Sequence, residues 1–288
     1  GGMGLTGVIL DARLRLRRIE TSFMRVVTER APNLDVVLER MSRGDAEHAY
    51  SVAWIDCLAS GSALGRSVLM RADHALPEDL PPSARSTPLQ PVGKLRFRVP
   101  FDLPQRTLTP MSMRLFNAAF YWTRQLGDRI AAYEDYFYPL DAVLEWNRIY
   151  GRRGVVQYQV VIPSRSSREA LRSILERVSA SGMASFLAVL KSMGAANPGL
   201  LSFPQEGITL ALDFPNTGAA LLQLLAELDE LVLRHGGRVY LAKDCCLHPD
   251  HFAAMYPRLA EFRAVKARVD PEQRFSSSLA RRLGIVGS

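Results

Sequence analysis

Two pairs of polar side chains in this 288-residue sequence have the types and spacing of a ligand site. Gln157 and Gln159 are two residues apart in the apolar run VVQYQVVI, so a strand would present both amides on one face. An amide buried without a partner costs about 1–3 kcal/mol, so two buried glutamines would indicate a site for a polar ligand. The alternative, which the sequence favours equally, is that both glutamines lie on a solvent-facing strand surface. Lys191 and Lys243 each end an apolar run. Each lysine either extends its side chain into water, which is the usual outcome, or its ammonium group stabilises negative charge that develops in a pocket.

Motifs for other catalytic chemistries are absent from the sequence. It contains no G-x-S-x-G elbow, no P-loop and no zinc signature, so it gives no support for a hydrolase or a phosphotransferase. The histidines lack carboxylate or cysteine partners at ligand spacing, and only His248 and His251 share a helical turn, so we expect no metal site. Cys57, Cys245 and Cys246 are odd in number and two are adjacent, which indicates reduced thiols rather than a disulfide framework.

The composition is that of a globular protein with a basic surface. Apolar residues make up 48% of the chain, charged residues 23%, and the net charge is +7. This charge fits either a solvated basic surface or attraction to phosphate groups or a lipid surface. Because no nucleic-acid-binding motif is present, we expect no nucleic-acid partner. The longest apolar runs fall short of the roughly 20 residues that a membrane span needs.

The segment 155–244, which contains all four polar candidates, has the element order β-α-β-β-α-β. The predicted strands are 155–162, 185–191, 208–214 and 238–243. Ser166 and Glu169 form a capping box that predicts a first helix ended by Gly182, and a second helix, 220–235, ends at Gly236. This order predicts an α+β fold with a ferredoxin-like split βαβ layout, an antiparallel sheet with two helices on one face.

The upstream part of the chain begins with glycines and then alternates between apolar and polar residues. Val8, Leu10, Leu14 and Leu16 would face one way, which predicts a turn that leads into a half-buried strand over 8–16. Glycines before a strand allow close approach of the backbone to a flavin or a nucleotide, and a tight turn is the alternative. Further on, 110–127 is predicted as a helix and 131–139 as a tyrosine-rich strand.

Motifs along the whole chain resemble one enzyme family. In order, they are GGMGLTGVI (1–9), YSVAWID (50–56), FYPLDAVLEWNRIYG (137–151), QYQVVIP (157–163), LSFP (201–204), LDFP (212–215) and GGRVYLAKD (236–244). Together they resemble the decaprenylphosphoryl-β-D-ribose 2′-oxidases, which are flavoenzymes of the vanillyl-alcohol-oxidase type fold. The resemblance implies FAD as cofactor and a C-terminal fragment. Residues 1–21 and 238–288 would then be pieces of an α+β FAD-binding domain, and 22–237 the substrate-binding cap domain.

The resemblance also assigns roles to individual residues. Ile9 and Tyr240 match positions that contact FAD. Lys243 matches the lysine between flavin and substrate, which makes it both a cofactor-binding and the predicted catalytic residue. The residues that match the substrate pocket are Trp54, Phe137, Gln157, Gln159, Leu187, Val189, Lys191 and Thr209.

Three pocket positions depart from the family, which leaves the substrate open. Thr209 replaces an asparagine, Ala211 a cysteine and Phe137 a tyrosine. The implied reaction is FAD-dependent oxidation of a sugar secondary alcohol to a ketone, with the 2′-OH of a polyprenyl-phosphate-linked ribose, a cell-wall arabinan precursor, as the first candidate. The alternatives are a related sugar-alcohol or aldonolactone oxidase and a non-catalytic fragment without the half that binds the FAD pyrophosphate.

The resemblance further implies partners and a location. The partners are the lipid-linked sugar or another polyol and an NAD(P)H-dependent keto-sugar reductase. The expected location is bacterial, either cytoplasmic or peripherally associated with the membrane.

Overall fold

A computed structural model describes residues 1–90, 93–104, 107–183 and 187–287, and it has a mixed α+β fold. The described strands are β1 (Phe23–Ala31), β2 (Tyr50–Ile55), β3 (Ser67–His74), β4 (Phe97–Arg98), β5 (Gly127–Ala132), β6 (Val143–Leu144), β7 (Val155–Pro163), β8 (Ala188–Met193), β9 (Gly207–Pro215) and β10 (Arg238–Val239). The described α-helices are α1 (Leu34–Gly44), α2 (Pro82–Arg85), α3 (Pro110–Thr123), α4 (Tyr133–Phe137), α5 (Ser167–Ser181), α6 (Ala219–Arg234), α7 (Pro249–Met255), α8 (Leu259–Val269) and α9 (Ser278–Arg282). Within these ranges no helix combines the length and apolarity needed to cross a membrane.

Eight strands form one antiparallel sheet in the order β10-β7-β9-β8-β2-β3-β1-β5. The half β10-β7-β9-β8, with α5 and α6, has the strand order of a ferredoxin-like split βαβ unit, which confirms the predicted layout. The other half repeats that order with β5, β1, β3 and β2. The two units meet edge to edge where Trp54 of β2 pairs with Val189 of β8. The sequence did not predict the first unit, because the segment 75–126 separates β3 from β5.

Helices α1, α5 and α6 cover one face of the sheet and form the main core with it. Buried leucines of α5 and α6 recur every three or four residues, so each helix turns one apolar side to the strands. On β7 the residues that meet this core are Tyr158, Val160 and Ile162, which are all buried. Because successive strand residues point to opposite faces, Gln157 and Gln159 lie on the other face. We call that face the open face.

Helices α5 and α6 end at the predicted stop signals, whereas the helix predicted over 110–127 ends at Thr123, and Gly127 begins β5 instead. The predicted capping box is wrong. α5 ends at Gly182, which has a φ of +67°. Ser166 makes no side-chain cap; its hydroxyl instead donates to the carbonyl of His235 at 2.8 Å and joins the ends of α5 and α6. After α6, a Cβ at Gly237 would lie 2.6 Å from the carbonyl oxygen of Val161, so only glycine lets β10 come this close to β7.

Three strand predictions are wrong at least in part. Residues 8–16 form no strand within the described chain, and Val8, Leu10 and Leu14 are 71%, 91% and 82% exposed. Alternation predicts a strand only where a partner strand supplies hydrogen bonds, and the described residues supply none to this segment. The predicted strand 131–139 becomes helix α4 after Ala132. The predicted strand 238–243 is β10 followed by a 3₁₀ turn, Leu241–Lys243.

Candidate active site

The sheet register brings most of the predicted substrate residues together on the open face. Trp54 pairs with Val189, Val189 with Ala211, and Ala211 with Gln159, which makes one row across four strands. A second row joins Lys191 and Thr209, and a third joins Leu187, Asp213 and Gln157. Neighbouring strands lie about 4.8 Å apart and rows about 7 Å apart, so these side chains form one continuous patch. The first two residues of the predicted strand 185–191 lie outside the described residues.

Gln157, which is half-buried, and Asp213, which is buried, form a hydrogen-bonded pair in the third row. The Gln157 Nε2 donates to Asp213 Oδ1 at 2.6 Å, and Asp213 is only 1% exposed. Burial raises the pKa of Asp213 above its ordinary value, whereas the hydrogen bond from Gln157 and the charge of Lys243 lower it. The sequence analysis did not select Asp213. The available signal was one acidic residue inside the apolar strand LDFP, but only the strand register shows that it faces Gln157.

Gln159 and Thr209 are linked in a chain of hydrogen bonds. The Gln159 Nε2 donates to Thr209 Oγ1 at 3.1 Å, and the Thr209 hydroxyl donates to the carbonyl of Val160 at 2.8 Å. The threonine that replaces the family asparagine therefore orients a neighbouring amide. An amide held in this way can recognise a hydroxyl group without first losing rotational freedom.

The turn that carries Lys243 is fixed at both ends. On one side the backbone N–H of Tyr240 donates to the carbonyl of Gln159 at 2.8 Å, and the Tyr240 ring lies 4.5 Å from the ring of Phe203. On the other side the carboxylate of Asp244 is anchored in a buried ion pair, while the side chain of Lys243 stays exposed. The charge of Lys243 is one of the causes that lower the pKa of Asp213 in the third row, after the hydrogen bond from Gln157.

Two predicted site residues lie away from this patch. Phe137 is 38% exposed and packs edge-on against Tyr50, with ring centroids 4.8 Å apart. Tyr50 is four residues before Trp54 on β2, or about 13 Å along the strand. Ile9 is 84% exposed on the extended segment after the N-terminal turn. Their predicted contacts with substrate and FAD stay predictions.

An apolar cavity of about 220 Å³ opens beside the patch. It lies between the start of α3 and the loop after α5, and its lining includes Leu108, Pro110, Ile149, Tyr150 and Met183. Burial, followed by the charge of Asp213, raises the pKa of Tyr150 well above its ordinary value, so its phenol stays protonated. Within the described residues, no group of three or more histidine, cysteine or acidic side chains is arranged to hold a metal ion.

Comparisons with known proteins show the family and the fold of the chain. Residues 208–283 match the family model of D-arabinono-1,4-lactone oxidase. The chain is 37% identical to an uncharacterized protein of Streptomyces coelicolor, over 99% of this chain and 79% of that protein. It is 35% identical to decaprenylphosphoryl-beta-D-ribose oxidase of Mycolicibacterium smegmatis, over 99% of this chain and 62% of the enzyme. The xylooligosaccharide oxidase of Myceliophthora thermophila has the same fold, with a TM-score of 0.52 and 12% identity over 90% of this chain and 55% of that one.

The sequence relatives and the fold define the class: this is a polypeptide of the FAD-dependent oxidases with the vanillyl-alcohol-oxidase type fold. Within that class, the chain belongs to the family that includes decaprenylphosphoryl-β-D-ribose oxidase. The chain spans 62% of the length of the M. smegmatis enzyme.

The residues of the patch fit a flavin placed beside an alcohol. The polar groups of the patch are two amides, a hydroxyl and two ammonium groups, which suit the polar edge of a flavin ring and the hydroxyls of a sugar. Gln157 and Gln159 are half-buried, and Lys191 and Lys243 are exposed, so these groups reach the surface of the open face.

Proposed function

We propose that the full-length protein oxidises a secondary alcohol of a sugar to a ketone with FAD, and that this chain supplies the face that holds the substrate. The observation that carries the proposal is the patch on the open face, in which Gln157, Gln159 and Thr209 lie in neighbouring rows within reach of the charge of Lys243. FAD, when bound, supplies the two-electron oxidation. The side chains of this chain bind and orient the alcohol.

Lys243 is the residue to which we assign the charge-stabilising role. Its backbone lies in a fixed turn, which defines where the ammonium group can meet the negative charge that develops on the alcohol oxygen. Gln157 and Gln159 have fixed amides that can hold the neighbouring sugar hydroxyls and so select the oxidised carbon. The buried carboxyl of Asp213 orients Gln157 and does not itself reach the solvent.

For the substrate we propose a polyprenyl-phosphate-linked ribose oxidised at the 2′-OH, a precursor of cell-wall arabinan. The name of the M. smegmatis relative and its 35% identity support this choice. The product would be a keto sugar, so an NAD(P)H-dependent reductase must act next if the alcohol is to be restored with inverted configuration. We place the protein in a bacterial cytoplasm or at a membrane surface.

A related sugar-alcohol or aldonolactone oxidase is the second candidate. Residues 208–283 match the D-arabinono-1,4-lactone oxidase model, and Thr209, Ala211 and Phe137 depart from the ribose-oxidase pattern. These changes remove an amide, a thiol and a phenol from the predicted pocket.

Anaerobic flavin reduction tests both candidates. The full-length protein with bound FAD is mixed with a polyprenyl-phosphoryl ribose, with arabinono-1,4-lactone or with free sugar alcohols, and the loss of oxidised-flavin absorbance is followed. The proposal requires the fastest bleaching with the lipid-linked ribose. Faster bleaching with the lactone or a free sugar alcohol would favour the second candidate, and no bleaching with any of them would favour a non-catalytic protein.

A further inference from the structure

Two adjacent cysteines follow the turn that carries Lys243. Both are free thiols, and they differ in accessibility: Cys245 is exposed, whereas Cys246 is half-buried and packs against the main core. The third cysteine, Cys57, is 1% exposed inside that core. A dissolved reagent can therefore reach Cys245, and a second thiol lies next to it in the chain, held against the core. None of the roles assigned to the patch uses this pair.

The backbone of the pair is held in an ordered bend. One carboxylate oxygen of Asp244 accepts the N–H groups of Cys246 and Leu247 at 2.9 and 2.8 Å. The guanidinium of Arg282 donates to the other oxygen at 2.6 Å and to the carbonyl of Leu247 at 2.7 Å. Because the residues on both sides are fixed, neither thiol has to lose much chain freedom to meet the other. A reaction between them is therefore intramolecular and proceeds at a high effective concentration.

The two thiols do not have the same acidity. Their mutual hydrogen bond is the main cause that lowers the pKa of Cys245, and the charge of Arg282 lowers it further, whereas burial and the charge of Asp244 raise it. The same hydrogen bond and then burial raise the pKa of Cys246. The thiolate is the nucleophilic form of cysteine, so Cys245 is the thiol that attacks first. Cys246 keeps its proton and is placed to react in a second step.

We propose that Cys245 and Cys246 form a redox-active pair that reacts with hydrogen peroxide and closes to a disulfide. The Cys245 thiolate attacks one oxygen of the peroxide, the O–O bond breaks, and the sulfur becomes a sulfenic acid while hydroxide takes up a proton and leaves as water. The Cys246 thiol then attacks the Cys245 sulfur, the S–O bond breaks, and the hydroxyl leaves with the Cys246 proton as a second water. The two thiols lose two electrons in total, and the peroxide gains them.

A disulfide between adjacent residues is strained and therefore reversible. Neighbouring Cα atoms are about 3.8 Å apart across a trans peptide, whereas ordinary disulfides span about 4.4–6.8 Å. Closure must also turn the peptide between Cys245 and Cys246, whose N–H donates to Asp244. Both costs favour the dithiol, so glutathione should reopen the bond, whereas an unstrained structural disulfide resists glutathione. The pair would thus spare Cys245 from irreversible oxidation beside the turn of Lys243.

Peptide mass spectrometry of the full-length protein with bound FAD tests the proposal. The reduced protein is treated with hydrogen peroxide, alkylated and cleaved with trypsin, which cuts after Lys243 and Arg258 and keeps both cysteines in the peptide 244–258. We expect this peptide to lose two hydrogen atoms and to resist alkylation, and glutathione to restore its alkylation. The buried Cys57 is the internal reference and should stay reduced. A disulfide that links two chains, or equally fast loss of the Cys57 thiol, would overturn the proposal.

Single-thiol variants separate attack from closure. In Cys246→Ser the second step is impossible, so excess peroxide should convert Cys245 to a sulfinic or sulfonic acid, which glutathione does not reverse. In Cys245→Ser only the half-buried, less acidic thiol is left, and we expect its oxidation to be about tenfold slower than that of the wild-type pair. If the two variants are oxidised at the same rate, or if the Cys246→Ser variant is restored by glutathione as fully as the wild type, the two residues do not act as a pair and the proposal is wrong.

This redox pair is independent of the proposed oxidation of an alcohol. Thiol oxidation is measured without substrate, so it can occur whether or not a sugar reduces the flavin. The absorbance of bound FAD, recorded before and after treatment, should stay unchanged and shows that the protein remains folded. If the remainder of the full-length protein covers Cys245, the peptide 244–258 will still be alkylated in full after peroxide treatment, and the proposed redox pair does not exist.

Discussion

Arg282 of α9 donates from Nη2 to Asp244 Oδ2 at 2.6 Å and thereby ties the C-terminal helix to the residue that follows Lys243. The Asp244 side chain is 2% exposed, and its other oxygen accepts the backbone N–H groups of Cys246 and Leu247 at 2.9 and 2.8 Å. These bonds fix the backbone of the turn while the ammonium group of Lys243 stays exposed. The position of the proposed charge-stabilising group therefore depends on a residue 39 positions further along the chain.

The first prediction concerns Arg282→Met in the full-length protein. The variant leaves the buried carboxylate of Asp244 without its cation, so we expect the free energy of unfolding to fall by about 1–3 kcal/mol. If Arg282 positions Lys243, kcat should fall more than KM rises, because the substrate-binding amides are untouched. The matched control is Arg281→Met, an exposed neighbour that donates to Ser276 Oγ at 2.7 Å. Equal kinetic changes in the two variants would show that Arg282 does not position Lys243.

The second prediction concerns Lys243→Met. The ammonium group offsets charge that appears only as the alcohol is oxidised, so its removal should slow the chemical step more than it weakens substrate binding. We expect flavin reduction at saturating substrate to slow by roughly 10²–10³, with FAD still bound at least in part. Stopped-flow absorbance measures this rate, and Arg268→Met, which removes an exposed cation outside the site, serves as control. A rate within about threefold of wild type would make Lys243 an ordinary solvent-exposed lysine.

Local signals in the sequence were enough to predict the second ferredoxin-like unit. The strands β7 and β9 and the helices α5 and α6 are 9 to 16 residues long, so the pattern of apolar residues that identifies each one lies within a short segment. Gly182 marks the end of α5. The strand predicted over 8–16 failed because alternation is local, whereas pairing needs a second strand. The first unit was missed for a related reason, since β3 and β5 are far apart in the chain.

The candidate site was predictable to a different degree. Spacing alone placed Gln157 and Gln159 on one face, and the register confirms it. That Gln157 meets Asp213, 56 residues later, depends on a strand pairing that no local pattern contains. The resemblance supplied Trp54, and it assigned a catalytic role to Lys243, which the residue pattern alone left as a lysine at the end of a strand. Neither the residue pattern nor the resemblance predicted the geometry of the turn around Lys243, because that geometry depends on the ion pair between Asp244 and Arg282.

The third prediction concerns covalent inhibition at Ala211. This residue lies between Val189 and Gln159 on the open face, at a position where the resemblance implies a cysteine in the family. A thiolate is the species that would trap a nitroso electrophile, so the wild type should resist nitroaromatic inhibitors that act in this way. Ala211→Cys should become sensitive, with time-dependent loss of activity and a mass increase on the peptide that contains Cys at this position.

A control separates the site thiol from other cysteines. Cys245 is exposed in the wild type and could be modified without loss of activity. Cys245→Ala should therefore leave the resistance of the wild type unchanged, and combining it with Ala211→Cys should preserve the new sensitivity. Rapid inactivation of the wild type would contradict the mapping of this position.

The last prediction concerns Asp229 of α6, a buried acid outside the site. Its Oδ1 accepts a hydrogen bond from the Tyr158 hydroxyl at 2.8 Å. Burial raises its pKa to about 7, the hydrogen bond from Tyr158 opposes this, and the charge of Asp244 adds to it. Because the pKa in the folded state exceeds the value in the unfolded chain, the unfolded chain loses a proton that the folded protein keeps between about pH 4 and pH 7. The free energy of unfolding should therefore decrease as pH rises through this window and become level above it.

Asp229→Asn removes this titration and keeps an oxygen that can accept from Tyr158. We expect the variant to lose the part of the decrease between about pH 4 and pH 7 that Asp229 contributes, while Asp213, whose pKa burial also raises, keeps its own part. The variant should gain at most about 4 kcal/mol over the wild type near neutral pH. Urea unfolding of the full-length protein at a series of pH values measures the difference. The control is Asp250→Asn, whose side chain is 90% exposed and should leave the slope unchanged. If Asp229→Asn retains the wild-type slope, the carboxyl of Asp229 is ionised in the folded protein, and the protonated pair with Tyr158 does not exist.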